Sequence, residues 1–410
     1  MSGRTAMNAA GLLQALAARL PRGHRLVVLL IPFAFLHGLF ATLRWPARWA
    51  TTHMVFNYHF GFGKRGLFGT LLHIASPPPY HYLTLALTSF AIFALWVGLL
   101  IAASWRLIRG DTGIAAAFVL AFLSAGFASV VSDMGYFEHC GLVLAIACML
   151  MPPGLGWLPL RAAAALLAVL VHEANFLMLV PVMAFDAWAG AQRNGRRAGV
   201  AAAGAVLLPA AAVTAYLGNV ETACDHAAAM AYYQARAQDF TIRADAVQTL
   251  CRTGADNMHW MTFLWHGWEV YFLSFALVVV LPSIAYNAGL LASLLRGRRI
   301  ALAGAFAAIA SPMALTVFGA DLVRFVSFSQ ITSLLLLVSA GRRVGLPQGG
   351  TLQGLMRSPA LITAIAAYEI GTALVMTDGS AMLKFPFVPL AQRLMEVTRG
   401  LAPFVVIPLN

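Results

Sequence analysis

Lys64 and Arg65 stand side by side in a glycine-punctuated stretch, NYHFGFGKRGLFG, running from Asn57 to Gly69. Adjacent cations on such a backbone suit a phosphate or pyrophosphate. Arginine offers forked hydrogen bonds, lysine a compact charge, and Gly61, Gly63, Gly66 and Gly69 permit tight turns and close approach of a ligand. Asn57 and His59 are supporting polar groups in the same stretch. The plainer reading is interfacial, with the pair binding anionic headgroups or snorkelling.

A second constellation is His172-Glu173, placed about ten residues inside an apolar run, where an ionisable group is costly and marks function by default. HEANF is not a zinc-protease motif, because Phe176 stands where the second histidine would be. Glu173 could act as a base or orient His172; a hydrogen-bonded pair stapling a bend is the structural alternative. Asp133, Glu138 and His139 follow another apolar run, and Asp321 and Arg324 punctuate a third. Asp133 and Asp321 each precede an expected helix start and so also read as N-caps, while Arg324 is placed to pair with Asp321 along one helix face. Two helix amino termini aimed at one cavity would equally make an anion site. Asp133 is the first candidate for a catalytic base, with Glu138 and Glu173 behind it.

These residues must be positioned by membrane spans. The chain has 410 residues, of which 60% are hydrophobic and 10% charged, and apolar runs of about 18 or more residues recur throughout. The expected fold is all-α: a polytopic integral membrane protein forming one transmembrane domain over 1–410. The formal net charge of +12 would suggest a nucleic-acid partner in a soluble protein. Here the basic residues cluster at span ends, which is membrane orientation, so membrane lipid is the expected partner and nucleic acid is not.

The amino terminus is basic, and the run that follows it reads as a retained span preceded by an interfacial helix at 12–20. Nine spans are expected, at 26–43, 82–104, 113–131, 138–157, 198–217, 268–293, 300–318, 324–340 and 359–376. Between them, 44–80 is an external loop with short helices and 218–264 a large external loop. The segment 161–190 is too short for two spans and long for one. It is read as a re-entrant pair of half-helices bent near His172-Glu173, with Pro181 in the returning arm. This map puts 16 of the 27 Lys and Arg inside, against 14 if the segment were a single span. It also gathers the polar groups named above on the external side, together with His259, His266 and Glu269.

Trp260, Trp265, Trp268 and Tyr271 read first as an interfacial belt and second as a sugar-stacking surface. Cys140 and Cys148 fall in apolar surroundings, whereas Cys224 and Cys251 share a polar loop where an oxidising compartment would let them pair. No metal-ligand cluster, Walker loop or Ser-His-Asp signature occurs, so no metal is assigned and a divalent ion is optional.

A GFGKRGLFG-like first loop, an Asp closing the third span, His-Glu in a broken apolar segment and a GADLVRF hairpin together resemble the GT-C-type glycosyltransferases and the capsule and O-antigen polymerases of bacterial envelopes. The resemblance covers most of the topology but only these short motifs. It implies a polyprenyl-phosphate or -pyrophosphate sugar donor, a glycan acceptor, and a site on the periplasmic face of the inner membrane, for polysaccharide biosynthesis in the cell envelope. One departure matters: residues 44–80 hold no Asp or Glu, although the family places its base there. The expected mechanism therefore uses Lys64, Arg65 and Arg324 on the departing phosphate, with Asp133 or Glu173 as the base. The competing class is a transporter or flippase for a lipid-linked or anionic substrate, which also needs a charged cavity and broken helices. A membrane acyltransferase with His172 as base is a third.

Overall fold

The structure is a computed structural model describing residues 22–220, 225–253, 255–256, 259, 269–317, 321–346, 350–372, 374–377 and 380–383, with backbone alone at 22, 41, 269–276, 322 and the last two stretches. The expected helix at 12–20 lies outside the described residues. In chain order the helices begin with α1 (Arg22–Thr42), α2 (Arg48–Met54), α3 (Gly66–Ala75), α4 (Tyr82–Gly110), α5 (Thr112–Leu123), α6 (Ala125–Ser132) and α7 (Glu138–Leu150). Then come α8 (Leu158–Val171), α9 (Asn175–Met178), α10 (Val180–Ala191), α11 (Arg196–Asn219), α12 (His226–Gln234) and α13 (Ala244–Cys251). The last are α14 (Glu269–Leu294), α15 (Arg299–Ala310), α16 (Leu322–Val344), α17 (Thr351–Met356) and α18 (Pro359–Gly371), followed by a small hairpin of β1 (Leu374–Thr377) and β2 (Ser380–Leu383).

Six helices among the described residues are long and apolar enough to cross a membrane, or seven if the bent pair α5–α6 counts as one. This is a helical, multi-pass membrane protein. Where the chain departs from the expected spans, local chemistry explains it. The run at 113–131 is broken, not continuous: Ser124 is extended, its hydroxyl accepts from Phe127 N, and the two halves meet at 54°. The helix expected to reach 157 stops at Leu150, just ahead of Pro152 and Pro153, which cannot continue it. The helix expected over 359–376 ends at Gly371, and the chain then enters the hairpin.

At 161–190 the chain doubles back. Helix α8 ends at an extended His172, α10 starts with Pro181 in its first turn, and Asn175 Nδ2 donates to the Ala168 carbonyl across the turn. As a result Arg161, near the start of α8, sits 3.5 Å from Asp186 in α10.

Helix α16 is the axis of the bundle. Its apolar window is wholly buried, wrapped by α14, α6, α10 and α15, and its own sequence explains how: Leu334 to Val338 supply bulk while Ser327, Ser329, Thr332, Ser333 and Ser339 keep neighbouring backbones close. Around Phe118, Phe127, Ile146, Met183 and Leu336 the main core is continuous through the bundle.

A second core lies at one end. Met54, Val55, Phe56 and Tyr80 from the first expected loop pack with Ala229, Tyr233, Ile242, Val247 and Leu250 from the large one. Main-chain bonds stitch the two: Tyr80 N donates to Arg236 O at 2.7 Å and Gln238 N to Tyr80 O at 2.9 Å. The two loops thus form one cap with its own apolar interior, which the sequence reading treated as separate segments.

Candidate functional site

Beneath this cap, α3 is pressed onto the chain at Phe56–Tyr58. A Cβ on Gly69 would lie 1.9 Å from the Phe56 carbonyl oxygen, and one on Gly66 would lie 2.3 Å from the Tyr58 ring. These two glycines serve backbone packing, not ligand approach. The contact forces an unusual turn at the helix start. Arg65 adopts φ +59°, the one non-glycine residue with positive φ among the described residues, a conformation costing about 1–2 kcal/mol.

What fixes Arg65 there is its side chain. Nη2 donates to Glu173 Oε1 at 2.9 Å and Nε at 3.2 Å, while Nη1 lies 3.1 Å from His53 Nε2. The first loop is thereby clamped to the apex of the α8–α10 turn. Neighbouring Lys64 is buried and donates to the Arg252 carbonyl in the cap. Burial lowers the Lys64 pKa, with Arg65 adding to the effect and Glu173 opposing it.

Behind this pair lies a denser group. Glu138, first residue of α7, has Oε1 3.8 Å from His172 Nδ1 and 3.7 Å from Arg324 Nε. Arg324 also binds Asp321 at 2.7 Å, and its guanidinium lies 4.7 Å from the centre of the Tyr136 ring. Glu138, His172 and Arg324 are all buried, yet both Glu138 oxygens, His172 Nδ1, Arg324 Nε and Asp133 Oδ2 have no hydrogen-bond partner among the described residues. Separations of 3.7–3.8 Å are ion-pair contacts too long for direct hydrogen bonds. The Arg65–Glu173 pair, with side chains 16% and 21% exposed, and Asp321, at 40%, are the parts of the group that reach solvent.

Seven of the expected site residues, Lys64, Arg65, Glu138, His172, Glu173, Asp321 and Arg324, thus belong to one connected set. Asp133 lies against it, with Arg324, Asp321 and Glu138 acting on its charge. Asp133 is not an N-cap, however. It closes α6 as the C-cap, and the residue before α7 is Phe137. Just beyond the end of α6, burial pushes its carboxyl up to about 8, against the opposing pull of Arg324. Asp321 does precede α16, but it makes no side-chain cap and takes Arg324 instead, the intrahelical pair its spacing allows.

Asn57 and His59 are held away from the carboxylates. The Asn57 side chain accepts from His59 N and donates to Tyr232 Oη at 3.2 Å, while the His59 ring stacks on Tyr232 at 3.9 Å. His139 turns into the bundle and donates to the Val130 carbonyl. His259 is exposed. His266, Trp260, Trp265 and Trp268, and the side chains of Glu269 and Tyr271, lie outside the described residues, as does Cys224. Cys140 and Cys148 are free, and Cys251 is disulfide-bonded.

Sequence reasoning missed His53 and Tyr136. His53 is buried between Arg65 and the Phe137 ring, and burial, reinforced by Arg65, holds its pKa well below the ordinary range, so it faces Arg65 as a neutral acceptor. Its short helix carries no periodic signal. Among the described residues no three His, Cys, Asp or Glu side chains converge as metal ligands would. Comparison with known proteins returned no match among family models, curated proteins or solved structures.

Proposed function

We propose that the chain is a membrane glycosyltransferase or glycan polymerase of GT-C-like architecture, moving a sugar from a polyprenyl-phosphate or -pyrophosphate donor to an envelope glycan acceptor. The observation that carries this reading is the group of unpartnered buried polar atoms around Glu138, Asp133, His172 and Arg324, bordered by the Arg65–Glu173 pair and the buried Lys64. Cations and carboxyl groups brought together in this way are the two halves that transfer from a phosphate-linked donor requires. The C1–O bond to phosphate breaks, the acceptor oxygen bonds to C1, and the acceptor proton goes to a carboxylate.

The roles separate by environment. Glu173 is held by Arg65, and Arg324 by Asp321, so both pairs are already engaged. Lys64, with no carboxylate in ion-pair contact among the described residues, is the cation best placed to take the phosphate. Asp133, whose proton is held to about 8, is better matched to proton transfer near neutral pH than a carboxylate locked to an arginine.

Nine spans, with the turn at His172–Asn175 as a re-entrant hairpin, remain the topology this reading uses. The short α7 and α18, each about 20 Å long at 1.5 Å per residue, then cross where the bilayer is locally thinned around them. An external, periplasmic placement of the cap on the bacterial inner membrane is supported by the Cys251 disulfide, which belongs in an oxidising compartment. It also agrees with the arginine-rich opposite pole.

The test is binding of a polyprenyl-pyrophosphate sugar donor to the purified protein in lipid, followed by transfer to acceptor. Lys64→Gln is expected to weaken donor binding about tenfold, the loss of one charge-assisted bond. Asp133→Asn is expected to leave binding intact and abolish transfer. Unchanged binding and transfer in both variants would refute the reading.

A further inference from the structure

Away from the candidate site, one fully buried carboxyl group has no ion-pair partner among the described residues. We infer that Glu369 is a membrane-embedded proton-binding site, holding its proton between its own Oε1 and the Ser283 hydroxyl; this is independent of the sugar-transfer reading.

Glu369 sits on α18 and is fully buried against α14, where Oε1 contacts Ser283 Oγ, while Oε2 has no partner among the described residues. Its depth follows from two helices independently. Helix α18 starts beside the Asp111–Arg357 pair, and Glu369 lies about 15 Å further along it at 1.5 Å per residue. Ser283 is about 16 Å from the Leu294 end of α14 by the same rise. Both place the contact near the middle of the bundle.

Charge balance supplies the rest. Among the described residues, Asp111 is paired with Arg357, Glu173 with Arg65, and Asp186 with Arg343, while Glu138 faces Arg324. Glu369 forms no such pair among the described residues. The elements packed against α18 are α5, α14 and α17. Helices α5 and α17 contain no charged residue, and the sole charged residue of α14 is Glu269 at its far end. The titratable group nearest along α14, Tyr286, donates to the Met356 and Gly113 carbonyls. Arg357, at the other end of α18, is bound to Asp111. A carboxylate in hydrocarbon with a hydroxyl as its one partner among the described residues is far costlier than the neutral acid, so the site takes a proton.

Polar groups continue from it. Asn287, one turn from Ser283, donates to Ser333 Oγ at 2.8 Å on α16, and one turn along α16 is Gln330, whose amide atoms are unpartnered among the described residues. These groups offer the proton hydrogen-bonding neighbours that hydrocarbon would not.

The test is infrared spectroscopy of the full chain in lipid at neutral pH, as a wild-type minus Glu369→Gln difference spectrum. A protonated site gives a carboxylic-acid carbonyl band that shifts on deuteration. A carboxylate antisymmetric-stretch band in its place would overturn the inference. If the variant does not fold, carboxyl-labelled glutamate in the wild type gives the same reading without substitution: an isotope-shifted acid carbonyl band is expected, and labelled glutamates that appear wholly as carboxylate would refute the proposal. Loss of the acid band on adding sodium would also overturn it, by showing a metal-cation site in place of a proton site.

Discussion

The two poles of the bundle are built from the same parts, buried carboxylates and arginines, and they treat them in opposite ways. At one pole Asp186 accepts from Arg343 Nε and Nη2 and from Ser339 Oγ, all at 2.8–2.9 Å. Arg343 and Arg161 spend their remaining protons on the carbonyls that end α7, at Met149, Met151, Pro152 and Gly154, and Arg342 adds Met149 and Ala103. Apart from Arg161 Nε, this network is closed. At the other pole, Glu138, His172 and Arg324 stand 3.7–3.8 Å apart with their facing atoms unpartnered among the described residues. The first network ties helices together through direct hydrogen bonds; the second holds its charges at ion-pair distance only. Buried polar groups left unsatisfied cost free energy, and a fold retains them where they are used.

This contrast can be broken by substitution. Asp186→Ala strands two buried arginines and is expected to destabilise the protein by about 3–5 kcal/mol, read as a lowered unfolding midpoint in detergent. Glu138→Gln alters no hydrogen bond that closes the fold, so it is expected to shift stability by no more than about 1 kcal/mol while reducing sugar transfer on the order of 100-fold or more. A Glu138 variant that unfolds as readily as the Asp186 variant would erase the distinction.

Asp133 sharpens it through pH. A carboxyl raised to about 8 stays protonated at neutral pH, so transfer is expected to rise with pH up to that value and the limb to vanish in Asp133→Asn. The same shift acts on stability with the opposite sense. The contribution is complete below the ordinary carboxyl range and is lost as pH rises through about 8. Unfolding midpoints measured across that interval in wild type and Asp133→Asn check the sign. The smallest effect belongs to Asp321→Asn: the Asp321 side chain is 40% exposed, and stability is expected to change by less than about 1 kcal/mol.

Much of this arrangement was legible in the sequence, for a definable reason. Ionisable residues are rare in apolar runs, so Glu138, His172, Glu173 and Arg324 announce themselves, and positive charge at span ends sorts them onto one pole. The same signal was present but unread at Asp186 and Glu369, each a single carboxylate in an apolar segment. What sequence spacing does not carry is contact across long separations. Tyr232 beneath His59 and the Arg252 carbonyl over Lys64 both depend on the cap folding as one piece. Nor does composition predict that Ser124 would cap a helix in mid-span, or that Gly66 and Gly69 would serve packing.

The cap has a further consequence for how the chain is made. Met54, Val55 and Phe56 emerge early, but the residues that cover them, Tyr233 through Leu250, come much later in the chain. Until the intervening helices have been inserted, the first segment waits with apolar side chains uncovered, exposed to aggregation or to a holding chaperone. The Arg65–Glu173 clamp becomes available sooner, as soon as the α8–α10 turn is in place. Chain order at this face therefore makes the charged clamp available before the apolar lid, while Arg324, the last member of the deep polar group, emerges after both.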